Sequence, residues 1–288
     1  MIAFLNGRFV PEARATVSVL DRGFLYGDGV FETIRLYGGR AFRWEQHFQR
    51  LQCGAKFLRI TLPYSASGLR RAASQLAAKN KISDALLRVT LSRGVGVRGY
   101  SPAGAHHPVL AMTLHPLAPG NSRALPQWKL VTASGRVPAG DWLANFKSCN
   151  KLAHILARLE AEEAGSDEAL LLNTNGEVAE AAGSNFFWIE KNRICTPPIA
   201  LGILPGVTRA FVFELCQALG WTVVEKKIRP AQLGKVAGAF LTMSSLGIVE
   251  VTALDGKKLS RSPRVQILAT QYERAAHREV FGSDRARA

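Results

Sequence analysis

The chain has 288 residues, 47% of them hydrophobic and 20% charged, with mean hydropathy near zero. This composition supports a sizeable core and excludes a disordered, collagen-like or small disulfide-stapled chain. Lys plus Arg number 37 against 22 Asp plus Glu, a formal net charge of +15, which admits nucleic acid, a membrane surface or small anions as partners.

The opening segment alternates in short pieces, Ile2 to Leu5 and Arg8 to Val10, around Asn6-Gly7, a hairpin turn signal. Val30 to Tyr37 reads as a strand closed by Gly38-Gly39. Trp44 to Leu58 reads as a helix, with Trp44, Phe48, Leu51, Ala55 and Leu58 at spacings of three and four. A second helix is expected over Leu69 to Ala78, then strands over Ala85 to Ser92 and Val109 to Leu114. The stretch 115–127 holds three prolines and no periodicity, so the expected division is a domain over 1–117, a linker over 118–127 and a second domain over 128–288. In the second part a strand at Lys129 to Ala133 precedes a helix from Asn150 to Ala164, whose Leu152, Ile155, Leu156 and Leu159 share one face. Gly165 ends that helix. Strands follow at Glu168 to Leu172, Asn185 to Ile189 and Ala239 to Met243, with a helix opened by Leu204 to Arg209 and running through Leu219 between the last two. The final residues GSDRARA read as a frayed tail.

The cysteines Cys53, Cys149, Cys195 and Cys216 are scattered, with no C-x-x-C pair. They read as free, mostly buried thiols in a reducing compartment, and no metal site is expected. No apolar run reaches the roughly 18 residues of a membrane span, and no signal-type segment opens the sequence, so the expected location is the cytoplasm without a membrane partner. Basic residues are dispersed: 16 against 6 acidic ones over 1–120, and 21 against 16 over 121–288. No nucleic-acid module accompanies them, and no nucleic-acid partner is expected.

A few residues could carry chemistry. Lys147, in Asn145-Phe146-Lys147-Ser148-Cys149-Asn150, sits just before a helix in an apolar setting that can make an ammonium an amine nucleophile. Most lysines at such places are simply solvated, and Lys151 has equal credentials. Glu180 lies in a run of small residues before an apolar strand, where a carboxylate needs a partner such as a protonated ring nitrogen; the bland reading is a turn carboxylate facing water. Gly206-Val207-Thr208 at a helix start, the Ser244-Ser245 hydroxyls and the Arg50 guanidinium are groups that can hold a phosphate, although caps and solvated arginines look the same in sequence.

In order and spacing, LDRGFLYGDGVFETIR (20–35), HFQRLQCGA (47–55), FKSCNKL (146–152), DEALLLNTNGEVAEAAGSNFFWI (167–189) and TPPIALGILPGVTR (196–209) resemble the fold-type IV pyridoxal-phosphate enzymes, the class IV aminotransferases. The resemblance implies an α/β (α+β) two-domain fold, with a small N-terminal α/β domain, a larger C-terminal one and a site at their interface. It also implies a cytoplasmic homodimer whose cofactor is pyridoxal 5'-phosphate. Carried over by position, it makes Lys147 the Schiff-base lysine and the base that moves the α-proton, and Glu180 the partner of the pyridine nitrogen. Arg50, Val207 (through its backbone), Thr208, Ser244 and Ser245 become the phosphate cup. Tyr26, Phe31, Arg98 and Tyr100 are the expected substrate-binding residues.

The implied reaction moves an amino group between a branched-chain or similar apolar amino acid and a 2-oxo acid. The alternative is a 4-amino-4-deoxychorismate lyase, releasing pyruvate and 4-aminobenzoate, because SRGVGVRGYS (92–101) is similar to the lyases' S-R-G-x-G-x-R-G-Y-S pattern. D-amino acid transamination ranks third. Those enzymes share an arginine at Arg98 but carry histidine and tyrosine where Tyr100 and Phe31 stand.

Overall fold

The computed structural model describes residues 1–117 and 124–282. The linker expected over 118–127 falls outside the described residues as far as 123, and the expected tail lies outside them from residue 283. The described chain forms two compact units. The first comprises 1–117, Phe146–Asn150 and 279–282; the second comprises 124–145 and 151–278. The units are therefore not simple sequence halves. The segment that carries Lys147 packs with the first unit, because it lies along a strand there.

In the first unit the strands are β1 (Ile2–Leu5), β2 (Arg8–Pro11), β3 (Gly29–Tyr37), β4 (Arg40–Ala41), β5 (Ala85–Ser92) and β6 (Val109–Pro116). They form one antiparallel sheet in the order β2-β1-β6-β5-β3-β4. The hairpin turn at Asn6-Gly7 has positive φ at both residues (47° and 86°), the conformation that Asn-Gly supplies at low cost. A five-residue helix, α1 (Arg22–Tyr26), has no apolar period and so no sequence signal of that kind; Asp21 caps its start by accepting from the Gly23 N–H, and left-handed Gly27 ends it. Helices α2 (Trp44–Phe57) and α3 (Ala66–Asn80) contribute Trp44, Phe48, Leu51, Leu69 and Leu76 to a core with Val30, Ile34, Leu36 and Leu87 from the sheet.

The second unit is built on a mixed sheet. Its strands are β7 (Gln127–Val137), β8 (Glu168–Asn173), β9 (Val178–Ala181), β10 (Asn185–Glu190), β11 (Arg193–Thr196), β12 (Val223–Glu225), β13 (Gly238–Met243), β14 (Gly247–Leu254) and β15 (Lys257–Lys258). The order is β12-β11-β10-β13-β14-β7-β8-β9, with β15 on β14. The core strands read as continuous apolar runs, such as NFFWIE in β10, because both faces are covered. Its helices are α4 (Leu152–Glu163), α5 (Val207–Ala218), the short α6 (Pro230–Leu233) and α7 (Pro263–Phe281), whose last residues belong to the first unit.

The surroundings of one apolar face add to what was expected, and the cysteines correct one expectation. The shared apolar face of α4 is not a core face: Leu152, Ile155, Leu156 and Leu159 are exposed at 69%, 55%, 53% and 48%. The helix instead buries Ala157 and Ala161, whose small side chains let it lie close to β7 and β8. Of the cysteines, only Cys195 and Cys216 are buried. Cys149 is half-buried and Cys53 exposed, and no disulfide forms among the described residues.

Candidate active site

In the first unit, the segment Phe146–Asn150 runs against the start of β3. The Phe31 N–H donates to the Lys147 carbonyl, and the Cys149 N–H to the Gly29 carbonyl, both at 2.9 Å. Ser148 bridges to Val30, and Phe146 stacks on Phe57 with ring centres 3.9 Å apart. Lys147 is thus held by backbone pairing on a rigid sheet edge, half-buried, with Nζ 4.6 Å from the Phe31 ring centre. The Arg88 guanidinium, on β5, lies 3.6 Å from the same ring centre. Arg88 is half-buried and donates through Nε to Thr90 Oγ1, and burial holds it below the ordinary arginine range.

Behind this group sits a buried ionic cluster. Arg50, on α2, grips Glu32 of β3 with a fork, Nε to Oε1 and Nη2 to Oε2, both at 2.7 Å. His47, one turn before Arg50, places Nδ1 2.7 Å from Glu32 Oε2. Burial alone would raise the Glu32 carboxyl, but the charge and hydrogen bonds of Arg50, with that of His47, outweigh it and hold it at about 2. Burial pushes His47 below its ordinary value against the pull of Glu32, and the neighbouring Arg50 and Lys147 charges act in the same direction as burial. Glu32 is therefore an anion and His47 is held toward its neutral form. Two of Arg50's three nitrogens are committed to a carboxylate inside the protein, a partner that its expected role in a phosphate cup did not include.

In the second unit Glu180 lies on β9, not in a turn, and is buried. Its Oε2 accepts from Asn185 Nδ2 and from the Leu204 N–H, both at 3.1 Å. Those donors are neutral, so the carboxylate's charge is not cancelled by them. His154 of α4 stands with Nε2 3.8 Å from Oε1.

Close by in the fold are groups suited to a phosphate-bearing heterocycle. Gly206 is the residue before α5; a Cβ there would fall 2.0 Å from Asn185 Oδ1, so only glycine lets the backbone approach. The first amides of α5, at Val207 and Thr208, have no intrahelical acceptor and sit at the positive end of a 12-residue helix. Ser244 and Ser245 are half-buried in the turn between β13 and β14. The hydroxyls of Ser184 and Thr242 are buried with no hydrogen-bond partner among the described residues, and Thr242 is paired in register with Asn185. Orphaned donors of this kind, at the ends of strands beside a buried carboxylate, fit a polar ligand.

The remaining expected residues fall into two places. Phe31 touches Lys147 and Arg88. Tyr26, Arg98 and Tyr100 lie instead around the 93–101 loop: the Tyr26 hydroxyl accepts from the Gly99 N–H at 3.2 Å, and the Tyr26 and Tyr100 rings meet edge to face. Buried Arg22 fastens that loop by donating to the Gly99 and Tyr100 carbonyls. Arg98 is exposed and Tyr100 is 89% exposed. Glu32, His47, Arg88 and His154 are not singled out by any period or turn; the one sequence signal for the first two is an acid inside an apolar strand followed by His47-x-x-Arg50 at helical spacing. Among the described residues no group of His, Cys, Asp or Glu is arranged to hold a metal, and no helix is long and apolar enough to cross a membrane.

Known proteins share these features. The chain is 36% identical over 263 residues, 90% of each chain, to a Methanocaldococcus jannaschii protein assigned as a branched-chain-amino-acid aminotransferase. It is 31% identical to the aminodeoxychorismate lyase of Bacillus subtilis, over 88% of this chain and 86% of that one. Its fold matches a T.th. branched-chain amino acid aminotransferase, solved with pyridoxamine 5'-phosphate, at a TM-score of 0.91 and 27% identity, covering 99% of this chain and 96% of that one. The family model for amino-transferase class IV matches residues 29–254. The chain is thus an enzyme with the fold-type IV architecture, and it belongs to the class IV aminotransferases.

Proposed function

We propose that the chain transfers an amino group between a branched-chain or similar apolar amino acid and a 2-oxo acid, with pyridoxal 5'-phosphate as cofactor. The observation that carries this reading is the contrast between a half-buried amine, Lys147, set beside Phe31 and Arg88, and a buried carboxylate, Glu180, whose protein donors leave its charge in place. The names of the similar proteins support the substrate class. When bound, the cofactor supplies a cationic ring that takes up electron density from the substrate's α-carbon.

The chain's own residues do the rest. Glu180 holds a proton on the ring nitrogen. The Val207 and Thr208 amides, with the Thr208, Ser244 and Ser245 hydroxyls, bind the phosphate. Arg50 presents the positive end of its pair with Glu32. Lys147 Nζ takes the α-proton and returns it. Arg88 binds a substrate carboxylate: its hydrogen bond to Thr90 uses Nε, and a half-buried guanidinium is suited to a carboxylate. Phe31 gives the apolar wall.

Tyr26, Arg98 and Tyr100 act on the substrate in a homodimer. The exposure of Arg98 and Tyr100, and the solvent-facing row Leu152, Ile155, Leu156 and Leu159, support completion of the molecule by a second copy. Ile155→Glu with Leu156→Glu should convert a dimer to monomers in sedimentation equilibrium; an unchanged mass rules out that face. Cysteines that form no disulfide among the described residues fit a cytoplasmic enzyme.

The lyase reaction stays as a second reading because the 92–101 segment keeps the lyase pattern and is fastened by Arg22. The deciding experiment incubates the cofactor-loaded enzyme separately with valine, leucine and isoleucine plus 2-oxoglutarate, and with aminodeoxychorismate. Formation of glutamate from the amino acids is expected. Pyruvate release from aminodeoxychorismate with no amino transfer would replace the first reading with the second.

A further inference from the structure

Helix α4 presents two side chains one turn apart, His154 and Arg158, to two buried glutamates of the second unit. Arg158 Nη1 lies 3.8 Å from Glu168 Oε1. Glu168 also accepts from its neighbour's Ala169 N–H at 2.9 Å and from the Gly183 N–H at 3.2 Å, so it ties down the loop that follows Glu180. Burial raises the Glu168 carboxyl, with the two amides, Arg158 and His154 acting against that rise. His154 therefore faces two carboxylates, Glu180 directly and Glu168 through space, with Arg158 as the cation on its own helix.

The imidazole's two nitrogens are in different surroundings. Nδ1 is buried with no hydrogen-bond partner among the described residues. A proton there would be a buried donor with nothing to accept it, which is more costly than a bare lone pair. The proton of the neutral ring accordingly sits on Nε2, the nitrogen that faces Glu180 Oε1 at 3.8 Å. Glu180 Oε2 is already occupied by Asn185 and Leu204. His154 is thus the group next to the oxygen that those two donors do not hold.

We propose that His154 is a positioning residue for Glu180: its Nε2, 3.8 Å from Oε1 and so beyond direct hydrogen-bond range, restrains that oxygen electrostatically, so that the carboxylate meets the cofactor's ring nitrogen in one orientation. The proposal rests on the Glu180 role given above and concerns the group that orients it. It predicts that removing the imidazole loosens the hold of Glu180 on the ring proton without touching substrate contacts.

The test uses the full-length protein loaded with pyridoxal phosphate labelled with ¹⁵N in the ring, in wild type, His154→Ala, His154→Gln and Glu180→Gln. In His154→Ala the ring-nitrogen signal should move toward the unprotonated limit. Its kcat should fall about tenfold, as for loss of one close electrostatic contact inside the protein, with KM within about twofold. His154→Gln, which keeps an N–H at that reach, should restore both. In the cofactor-free protein, long-range ¹H–¹⁵N spectra should show His154 protonated at Nε2.

A ring signal that stays at the wild-type position in His154→Ala, or moves toward the protonated limit, overturns the proposal, as does an Nδ1-protonated His154. If Glu180→Gln itself leaves the ring signal unchanged, the Glu180 role fails and His154 falls with it. If Glu180→Gln moves the signal and His154→Ala does not, only the positioning role fails.

Discussion

Glu32 and Glu180 are both buried glutamates on strands, one in each unit, and they are partnered in opposite ways. Glu32 is gripped by a cation: Arg50 takes both its oxygens at 2.7 Å, and His47 adds a third bond. Glu180 is held on Oε2 by an amide side chain and a backbone N–H, both neutral, with His154 Nε2 3.8 Å from Oε1. A carboxylate neutralised inside the fold serves the fold, and it fixes the helix that carries Arg50 to the strand that carries Phe31. A buried carboxylate whose hydrogen-bond donors are neutral has room for an external cation, which in the reading proposed above is the ring nitrogen of the cofactor. Burial is similar at the two positions; the charge of the partners separates them.

This contrast can be broken by substitution. Glu32→Gln should be the most damaging change to stability, because it leaves the Arg50 charge buried without its counter-ion, a loss of about 3–5 kcal/mol. Chemical denaturation would show it as a lowered midpoint, and an unchanged midpoint would mean that the Arg50 pair contributes little. Acid offers the same test without mutation. The Glu32 carboxyl falls from 4.5 to about 2 on folding, so its contribution is complete above the unfolded value and is lost as pH drops from about 4.5 toward 2, about 3 kcal/mol in all. His47, pushed down by burial, adds to the loss as pH falls below its unfolded value of 6.5, since only the unfolded chain readily takes up that proton. Glu32→Gln should flatten the acid limb of the stability curve.

Glu180→Gln should behave the other way. Its donors are neutral, so stability should change by about 1 kcal/mol or less. The catalytic rate should fall by roughly 10²-fold, since in the proposed reading the group that holds the ring proton loses its charge. A large stability loss with preserved rate would place Glu180 with Glu32 as a structural acid. The smallest expected effect is at the exposed loop: Arg98→Ala should raise the KM of carboxylate substrates by roughly fivefold to tenfold, about 1 kcal/mol, with cofactor affinity unchanged. Equal losses in both would remove its substrate role.

Much of the architecture is legible in the sequence because period and turn chemistry act locally. The Asn6-Gly7 hairpin, the α2 stripe and the apolar β10 run follow directly from them. The departures have physical causes. The Leu152, Ile155, Leu156 and Leu159 stripe identifies a helix correctly, but a period reports an apolar face without saying what covers it, and here that face is exposed. Glu180 reads in sequence as lying before a strand and is in one, because small residues such as Ala179 and Ala181 carry little strand signal. Arg88 and His154 belong to a strand and a helix where polar residues are ordinary, and only tertiary structure sets them against Phe31 and Glu180. Local pattern does not separate Lys147 from Lys151. The separation comes from the pairing of 146–150 with β3, which seats Lys147 beside Phe31.

That pairing makes the most direct test a chemical one. The protein loaded with pyridoxal 5'-phosphate is reduced with borohydride, digested and mapped by mass spectrometry. The cofactor's mass should be found on Lys147 alone, and Lys147→Ala should leave the digest unmarked. The mass on Lys151, or a marked digest from Lys147→Ala, would contradict the account.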